Sequence, residues 1–237
     1  AAAAVLEIAD TPCRVFLSTT GRAIRVDLST LASELPERAV RRTKHDAILS
    51  SIVTTSRSEI GAVTSLGRLI RLTPVDLPVA PESSIQLAAG TRISDYLAID
   101  AKKERVLALV SLTSADAIAI GTRQGVVKRV TPGDWANRPE FEIIALKPGD
   151  AVVGVRQSAE TDDLLFITSE AQLLHFPAST VRPQGRSAGG MAGINLGAKA
   201  TVIFFGAVDP ASEVSVATVS SSSATISILG RSFSPPT

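Results

Sequence analysis

Residues 117–135 read AIAIGTRQGVVKRVTPGDW, and this stretch decides the fold. Two runs rich in Ala, Ile and Val flank a Thr-Arg-Gln-Gly connection. Short apolar runs joined in this way predict a β-hairpin, with Gly125 supplying the positive φ that the turn needs. The second run carries Lys128 and Arg129 and stops at Thr131, Pro132 and Gly133.

The same plan recurs along the chain. Residues 15–27 (VFLSTTGRAIRVD) repeat it with Gly21 at the turn and Arg22 and Arg25 after it, and residues 60–75 repeat it with Gly67, Arg68 and Arg71. A weaker copy spans residues 164–176 (LLFITSEAQLLHF), where Ala171 replaces the glycine and His175 the cation. A fifth is sought in residues 214–229. The unit is therefore an apolar strand, a Thr/Ser-x-Gly turn and a basic strand. Turn to turn, the steps are 67 − 21 = 46, 125 − 67 = 58 and 171 − 125 = 46 residues, with about 53 more to Ala224. A period of roughly 40 to 50 residues with several strands in each is the signature of blades. Further strands are expected at 105–112 (RVLALVSL), 151–156, 164–168 and 201–208. The expectation is an all-β, propeller-like fold of about five four-stranded blades, or six with one incomplete. It would occupy residues 11–230, between an N-terminal extension (1–10) and a tail (231–237).

Composition bounds the reading further. Hydrophobic residues make up 45% of the 237 but aromatics only 4%, so the core must be filled by Val, Ile, Leu and Ala packed between sheets. The single cysteine, Cys13, excludes an internal disulfide framework and fits a reducing compartment, so the cytoplasm is expected. No run of about 18 apolar residues appears, so no membrane partner is expected. The net charge of +1 hides an asymmetry: Lys/Arg minus Asp/Glu is 10 − 8 = +2 over residues 1–80, 10 − 10 = 0 over 81–160 and 4 − 5 = −1 over 161–237. So small a total does not identify a polyanion binder. Position carries more weight, because cations follow the turn in three hairpins and blade symmetry would bring them to one rim.

Two connections stand out. Residues 28–50 hold Arg38, Arg41, Arg42, Lys44 and His45 within eight positions, which reads either as a solvated loop or as an arm reaching phosphates. Residues 177–196 carry Gly185, Gly189, Gly190 and Gly193 with Arg182 and Arg186, but lack the Gly-Lys-Ser/Thr of a nucleotide loop. A long turn whose glycines permit close passage between blades is the better reading. Tyr96, the only tyrosine, is expected at the start of a strand. His45 and His175 lie in different units, no Cys/His cluster has zinc spacing, and no nucleophile motif surrounds Cys13.

The hairpins at 21, 67 and 125, the segment LKPGDAVVGV at 146–155 and the tract VRPQGRSAGGMAGINL at 181–196 resemble one family. It is the C-terminal domain of the A subunit of bacterial type IIA topoisomerases, DNA gyrase and topoisomerase IV. The resemblance implies a β-pinwheel whose blades exchange strands and whose basic perimeter bends duplex DNA. It implies partners in duplex DNA, the rest of the A subunit and an ATPase subunit, and a nucleoid-associated location. It implies no cofactor in this domain and no catalytic role for it, since the family's catalytic tyrosine belongs to another domain of an ATP-dependent enzyme. Gyrase carries a Gln-Arg-Arg-Gly-Gly-Lys-Gly box in the first long connection; here residues 36–46 read PERAVRRTKHD, with the cations but not the glycine pair. That departure favours a topoisomerase IV-like subunit.

The phosphate track expected on this basis comprises Arg22, Arg25, Arg38, Arg41, Arg42, Lys44, Arg68, Arg71, Arg123, Lys128 and Arg129, with Arg182 and Arg186. Contacts of this kind fix path and curvature without reading bases. The competing expectations are a propeller scaffold for protein partners, with no nucleic-acid role, and a propeller hydrolase, for which no convergent acidic or histidine set is visible.

Overall fold

The structure, a computed structural model, describes residues 9–31, 35, 40–41, 46–133, 135–211, 214–217 and 227–230. In chain order its strands are β1 (Pro12–Ser18), β2 (Arg22–Asp27), β3 (Val40–Arg41), β4 (Ile48–Thr55), β5 (Ile60–Thr64) and β6 (Arg68–Leu72). They continue with β7 (Ile85–Gln86), β8 (Thr91–Arg92), β9 (Val106–Ser111), β10 (Ala117–Thr122), β11 (Val126–Val130) and β12 (Glu140–Glu142). The remainder are β13 (Val152–Ser158), β14 (Asp163–Thr168), β15 (Leu173–Pro177), β16 (Met191–Ala192), β17 (Val202–Val208), β18 (Val214–Ala217) and β19 (Ser227–Gly230).

The four quoted hairpins are β1–β2, β5–β6, β10–β11 and β14–β15, all antiparallel. Their turns are built alike. The residue three before the turn glycine is a buried hydroxyl: Ser18, Thr64, Thr122 or Thr168. The Ser18, Thr122 and Thr168 hydroxyls accept the amide four residues on, from Arg22 (3.2 Å), Val126 (3.1 Å) and Gln172 (3.1 Å). The chain then reverses through positive φ, +84° at Gly125 and 59° at Ala171, the alanine standing where glycine stands in the other three.

Each hairpin is the middle of a sheet. The orders are β4-β1-β2-β8, β9-β5-β6-β12, β13-β10-β11-β16 and β17-β14-β15. The inner neighbour is the strand that leaves the hairpin's own unit. The outer neighbour arrives later: β8 follows the β5–β6 hairpin, β12 follows β10–β11, and β16 follows β14–β15. This is the strand exchange expected of a pinwheel. The blade count differs from expectation, being four among the described residues. Where a fifth was sought there is a separate two-stranded pair, β18–β19, with Ala224 outside the described residues. The outer strands of only two or three residues have no hydrophobic period of their own, so sequence pattern does not reveal them. Tyr96 also departs from expectation: it ends a single helical turn, Ile93–Tyr96, and its hydroxyl donates to the Thr73 carbonyl at 3.3 Å.

The chain forms two compact units. The first holds the β1–β2 and β5–β6 sheets, with clusters centred on Val15, Leu17, Ile60 and Val106, and on Phe16, Ile24, Val26 and Ile85. The second holds the β10–β11 and β14–β15 sheets, around Phe166, Phe205, Leu164 and Val127. Within the second unit, Gly121 and Gly154 pair across β10 and β13. A Cβ on Gly154 would lie 2.2 Å from the Phe205 carbonyl oxygen, and one on Gly121 would lie 2.2 Å from the Phe205 ring. Glycine at both positions lets β17 approach, which is why β13·β17 packing is possible. The glycine-rich tract behaves as expected: Gly190 passes over β11 so closely that a Cβ would sit 2.6 Å from the Val127 carbonyl.

Candidate nucleic-acid interface

The hairpin cations fall into two sets. Arg25, Arg71 and Arg129 each lie four residues beyond the turn glycine, and the rim argument expects them to face solvent. The structure corrects this. Arg129 is 1% exposed; its guanidinium donates to the Ala178 and Val181 carbonyls (3.1 and 3.3 Å) and to Glu160 Oε1 at 2.7 Å. Arg25 is 8% exposed and donates to the Pro74 and Val75 carbonyls (3.2 and 3.1 Å), with Nε 2.9 Å from Asp27 Oδ1. Arg71 pairs with Glu59 at 2.6 Å, and its guanidinium lies 5.8 Å from the Phe141 ring centroid. Lys128 is fully buried, and its ammonium donates to the carbonyls of Ile143 (2.8 Å), Arg186 (2.7 Å) and Ala188 (2.7 Å).

Arg25, Lys128 and Arg129 are therefore turned inward as fasteners, whereas Arg71 is half-buried and held at the surface by Glu59. A charged donor satisfies carbonyls that would otherwise be buried without partners, a large penalty in a low-dielectric interior. Strand alternation did not warn of this. It places Lys128 and Arg129 on opposite faces of β11, and both faces are covered.

The second set lies at or beside the turns. Arg22 is half-buried, donating to the Gly90 carbonyl at 2.7 Å, and Arg68 is half-buried as well. Arg123, in the third turn, is exposed; its own amide donates to the Ala151 carbonyl (2.8 Å), and its carbonyl accepts from the Val202 amide (2.9 Å). Arg182 is exposed and Arg186 half-buried, both on the glycine-rich connection. Arg38, Arg42 and Lys44 lie outside the described residues, as does His45. For Arg41 only the backbone is described, paired in parallel with Gln86.

Eight exposed cations among the described residues lie outside the expected track, Arg57, Arg92, Lys102, Lys103, Arg105, Arg138, Lys147 and Lys199, and two of them meet the hairpin turns. Arg92 sits directly opposite Arg22 in the β2–β8 register. Arg105 meets the second turn, where its amide donates to Ser65 Oγ and its carbonyl accepts from the Ser65 amide (3.1 and 2.8 Å). The available signal was position: Arg105 immediately precedes β9, just as Ala151 precedes β13 and Thr201 precedes β17. Acidic residues share the turn end, though their charge goes into backbone caps. Asp46 accepts from the Thr20 amide and from the hydroxyls of Thr19 and Thr20, and Asp150 accepts from the Gln124 amide at 3.0 Å.

Burial pushes the Cys13 thiol up to about 11, so it is protonated and unreactive at neutral pH. The hydrogen bond from Arg129 holds the Glu160 carboxyl below its ordinary range. Among the described residues, no three His, Cys, Asp or Glu side chains gather in a way that would hold a metal ion. Among the described residues, no helix is long and apolar enough to cross a membrane.

Strand order, exchanged outer strands and repeating turns define an all-β, propeller-like β-pinwheel. More particularly, the chain resembles the C-terminal domains of bacterial gyrase and topoisomerase IV A subunits, as the hairpins implied. Residues 162–209 match the family described as DNA gyrase C-terminal domain, beta-propeller. The gyrase A subunit of Staphylococcus epidermidis is 29% identical over 202 residues, which cover 84% of this chain and 21% of the relative. That of Clostridium acetobutylicum is 29% identical over 157 residues, 64% of this chain and 18% of the relative. The chain thus spans about a fifth of these relatives' length. Among solved structures, the C-terminal domain of DNA topoisomerase IV superposes with a TM-score of 0.71 at 21% identity, covering 90% of this chain and 66% of that one. The E. coli ParC C-terminal domain gives 0.61 at 17% identity, covering 91% and 86%.

Proposed function

We propose that this domain binds and bends duplex DNA without reading its sequence, and presents the bent segment to the cleavage core of a type IIA topoisomerase. The observation that carries the reading is the repeated placement of exposed or half-exposed cations at hairpin turns, on a fold shared with gyrase and topoisomerase IV domains. Arg22, Arg68, Arg92, Arg105 and Arg123 supply the turn-end charge, and Arg182 and Arg186 add a second cluster. Arg38, Arg41, Arg42 and Lys44 of the first long connection would add to this charge. The chemistry of strand cleavage and ATP hydrolysis would reside in other parts of the enzyme, in the cytoplasm at the nucleoid. The missing glycine pair in residues 36–46 supports topoisomerase IV-like bending over full wrapping.

Bending a 20 to 30 base-pair site by 40 to 90° costs on the order of 1 to 6 kcal/mol, so several phosphate contacts must act together. With about six phosphates neutralised, log K should fall against log salt with a slope of roughly −5. Fluorescence anisotropy on two unrelated linear duplexes across a salt series tests this. Similar affinities and a steep slope are expected; a flat response would remove the reading. Faster ligase closure of short linear duplexes into circles would report the bend.

A further inference from the structure

The fourth turn breaks an electrostatic rule that the other three keep. In every hairpin the residue two before the turn glycine or alanine donates its amide to the carbonyl just ahead of the inner strand: Thr19 to Ala47, Ser65 to Arg105, Arg123 to Ala151 and Ser169 to Thr201, each at 2.8 Å. The residue preceding that carbonyl is Asp46, Glu104 or Asp150 in the first three hairpins and Ala200 in the fourth. The three acids keep their charge against the protein. Asp46 and Asp150 accept the Thr20 and Gln124 amides, and Glu104 is 5% exposed.

In the fourth hairpin the acid stands in the turn itself. Glu170 occupies the place of Thr20, Leu66 and Gln124, and it is exposed. Its carboxylate lies over Gly197, where a Cβ would sit 3.1 Å from Oε2. Among the described residues no hydrogen bond or ion pair takes up its charge, and the exposed Lys199 nearby forms none with it. Residues 168–172 (TSEAQ) carry no cation, whereas the third turn carries Arg123.

These two turns are neighbours. The peptide group between Thr201 and Val202 joins them, its carbonyl accepting from Ser169 and its amide donating to the Arg123 carbonyl at 2.9 Å. Two ladder spacings, about 10 Å, therefore separate the Arg123 and Ser169 backbones, which is one Debye length at about 0.1 M salt. Duplex DNA carries one charge per about 1.7 Å of its axis, so a backbone seated on Arg123 brings several phosphates within reach of the Glu170 charge.

We propose that Glu170 is a break in the phosphate track, so that the duplex is held at the third turn and repelled from the fourth. The inference rests on the DNA-binding reading above and adds the place where the backbone lifts from the protein. A run of cations alone would not define that place. Glu170→Lys should continue the track by one contact.

The test is fluorescence anisotropy of a linear duplex with the parent protein, Glu170→Lys and Asp209→Lys across a salt series. Asp209 is an equally exposed acid at the other end of β17, about 20 Å away along the strand. Glu170→Lys should bind more tightly and steepen the slope of log K against log salt by about one unit, so its advantage grows about fourfold between 200 and 50 mM salt. Asp209→Lys should keep the parent slope. Glu170 has no partner to lose, so the melting temperature of Glu170→Lys should match the parent's. Parent affinity and slope in Glu170→Lys, or an equal gain from Asp209→Lys, would overturn the proposal while leaving DNA binding in place. A flat salt response of the parent protein would instead remove the DNA-binding reading and this inference with it.

Discussion

Arg25 and Arg129 occupy the same place in their hairpins, four residues past Gly21 and Gly125, and each clamps the short turn that follows the next hairpin. Arg25 holds the Pro74–Asp76 turn through two carbonyls, and Arg129 holds Ala178–Thr180 and its neighbour Val181 in the same way. In these two hairpins the cation is therefore the device that fastens exchanged segments together. Its charge is spent inside the protein.

Arg129→Met keeps much of the side-chain volume but strands two buried carbonyls and frees Glu160. At about 1–3 kcal/mol for each buried group left unpaired, the variant should lose about 2–4 kcal/mol in urea denaturation. DNA affinity of the folded protein and its salt slope should stay at the parent values. A fall in the slope by about one unit with unchanged stability would instead mark Arg129 as a phosphate contact.

Lys128→Met is the sharper case, because three carbonyls share one ammonium. A loss of about 3 kcal/mol or more is expected by the same reasoning, and Lys128→Arg should not rescue it, since a planar fork cannot reproduce three convergent bonds to a point charge. Thermal melting of the two variants side by side reads this.

The contrast between these residues and the turn cations shows how much of the molecule was legible. Four hairpins, their period and the inner strands at 106–111, 152–158 and 202–208 were readable, because apolar runs and turn glycines are local signals. The burial of Lys128 and Arg129 was not, because a strand covered on both faces loses the alternation that sorts inside from outside. Arg92 escaped notice for a related reason: it sits on a two-residue strand whose partner comes from a different hairpin. Ala171 was recognised as the glycine substitute from register alone, and its φ of 59° bears that out.

Cys13 offers a pH readout. Its thiol is raised from 9.0 to about 11, so the folded state holds the proton more tightly than the unfolded chain. The stability this contributes is fully present below pH 9 and is lost as pH rises through 11. Cys13→Ser should flatten stability against pH between 9 and 11. In the parent protein, alkylation by iodoacetamide at pH 8 should proceed only at the rate of unfolding.

Gly154→Ala and Gly121→Ala separate two kinds of close contact. At Gly154 the new methyl would meet the Phe205 backbone carbonyl, and at Gly121 the Phe205 ring, each at 2.2 Å. A ring can turn about its own side-chain bonds, whereas a carbonyl fixed in a strand pair moves only with β17. Overpacking of this kind costs about 1–3 kcal/mol where neighbours can adjust and more where they cannot. Gly154→Ala should therefore destabilise more than Gly121→Ala. Trimming Phe205→Ala, which removes the Cγ and ring atoms nearest Gly121, should recover part of the loss at Gly121 and little at Gly154, so a double-mutant cycle in urea distinguishes side chain from backbone as the obstacle.

The turn cations should behave in the opposite way to the fasteners. Arg123 is exposed, and no side-chain hydrogen bond ties it to a carbonyl among the described contacts, so Arg123→Glu should leave the melting temperature within a few degrees of the parent. If Arg123 meets a phosphate, the substitution should weaken binding equally on unrelated duplexes and reduce the salt slope by about one unit. Arg22→Glu is expected to do the same with a small stability loss, because Arg22 also donates to Gly90. Combining the two should lower the slope by about two units, since separate phosphate contacts release separate counterions. Loss of affinity on one duplex but not the other would instead mean that Arg123 reads bases, and the picture of a sequence-indifferent track along the hairpin turns would fall.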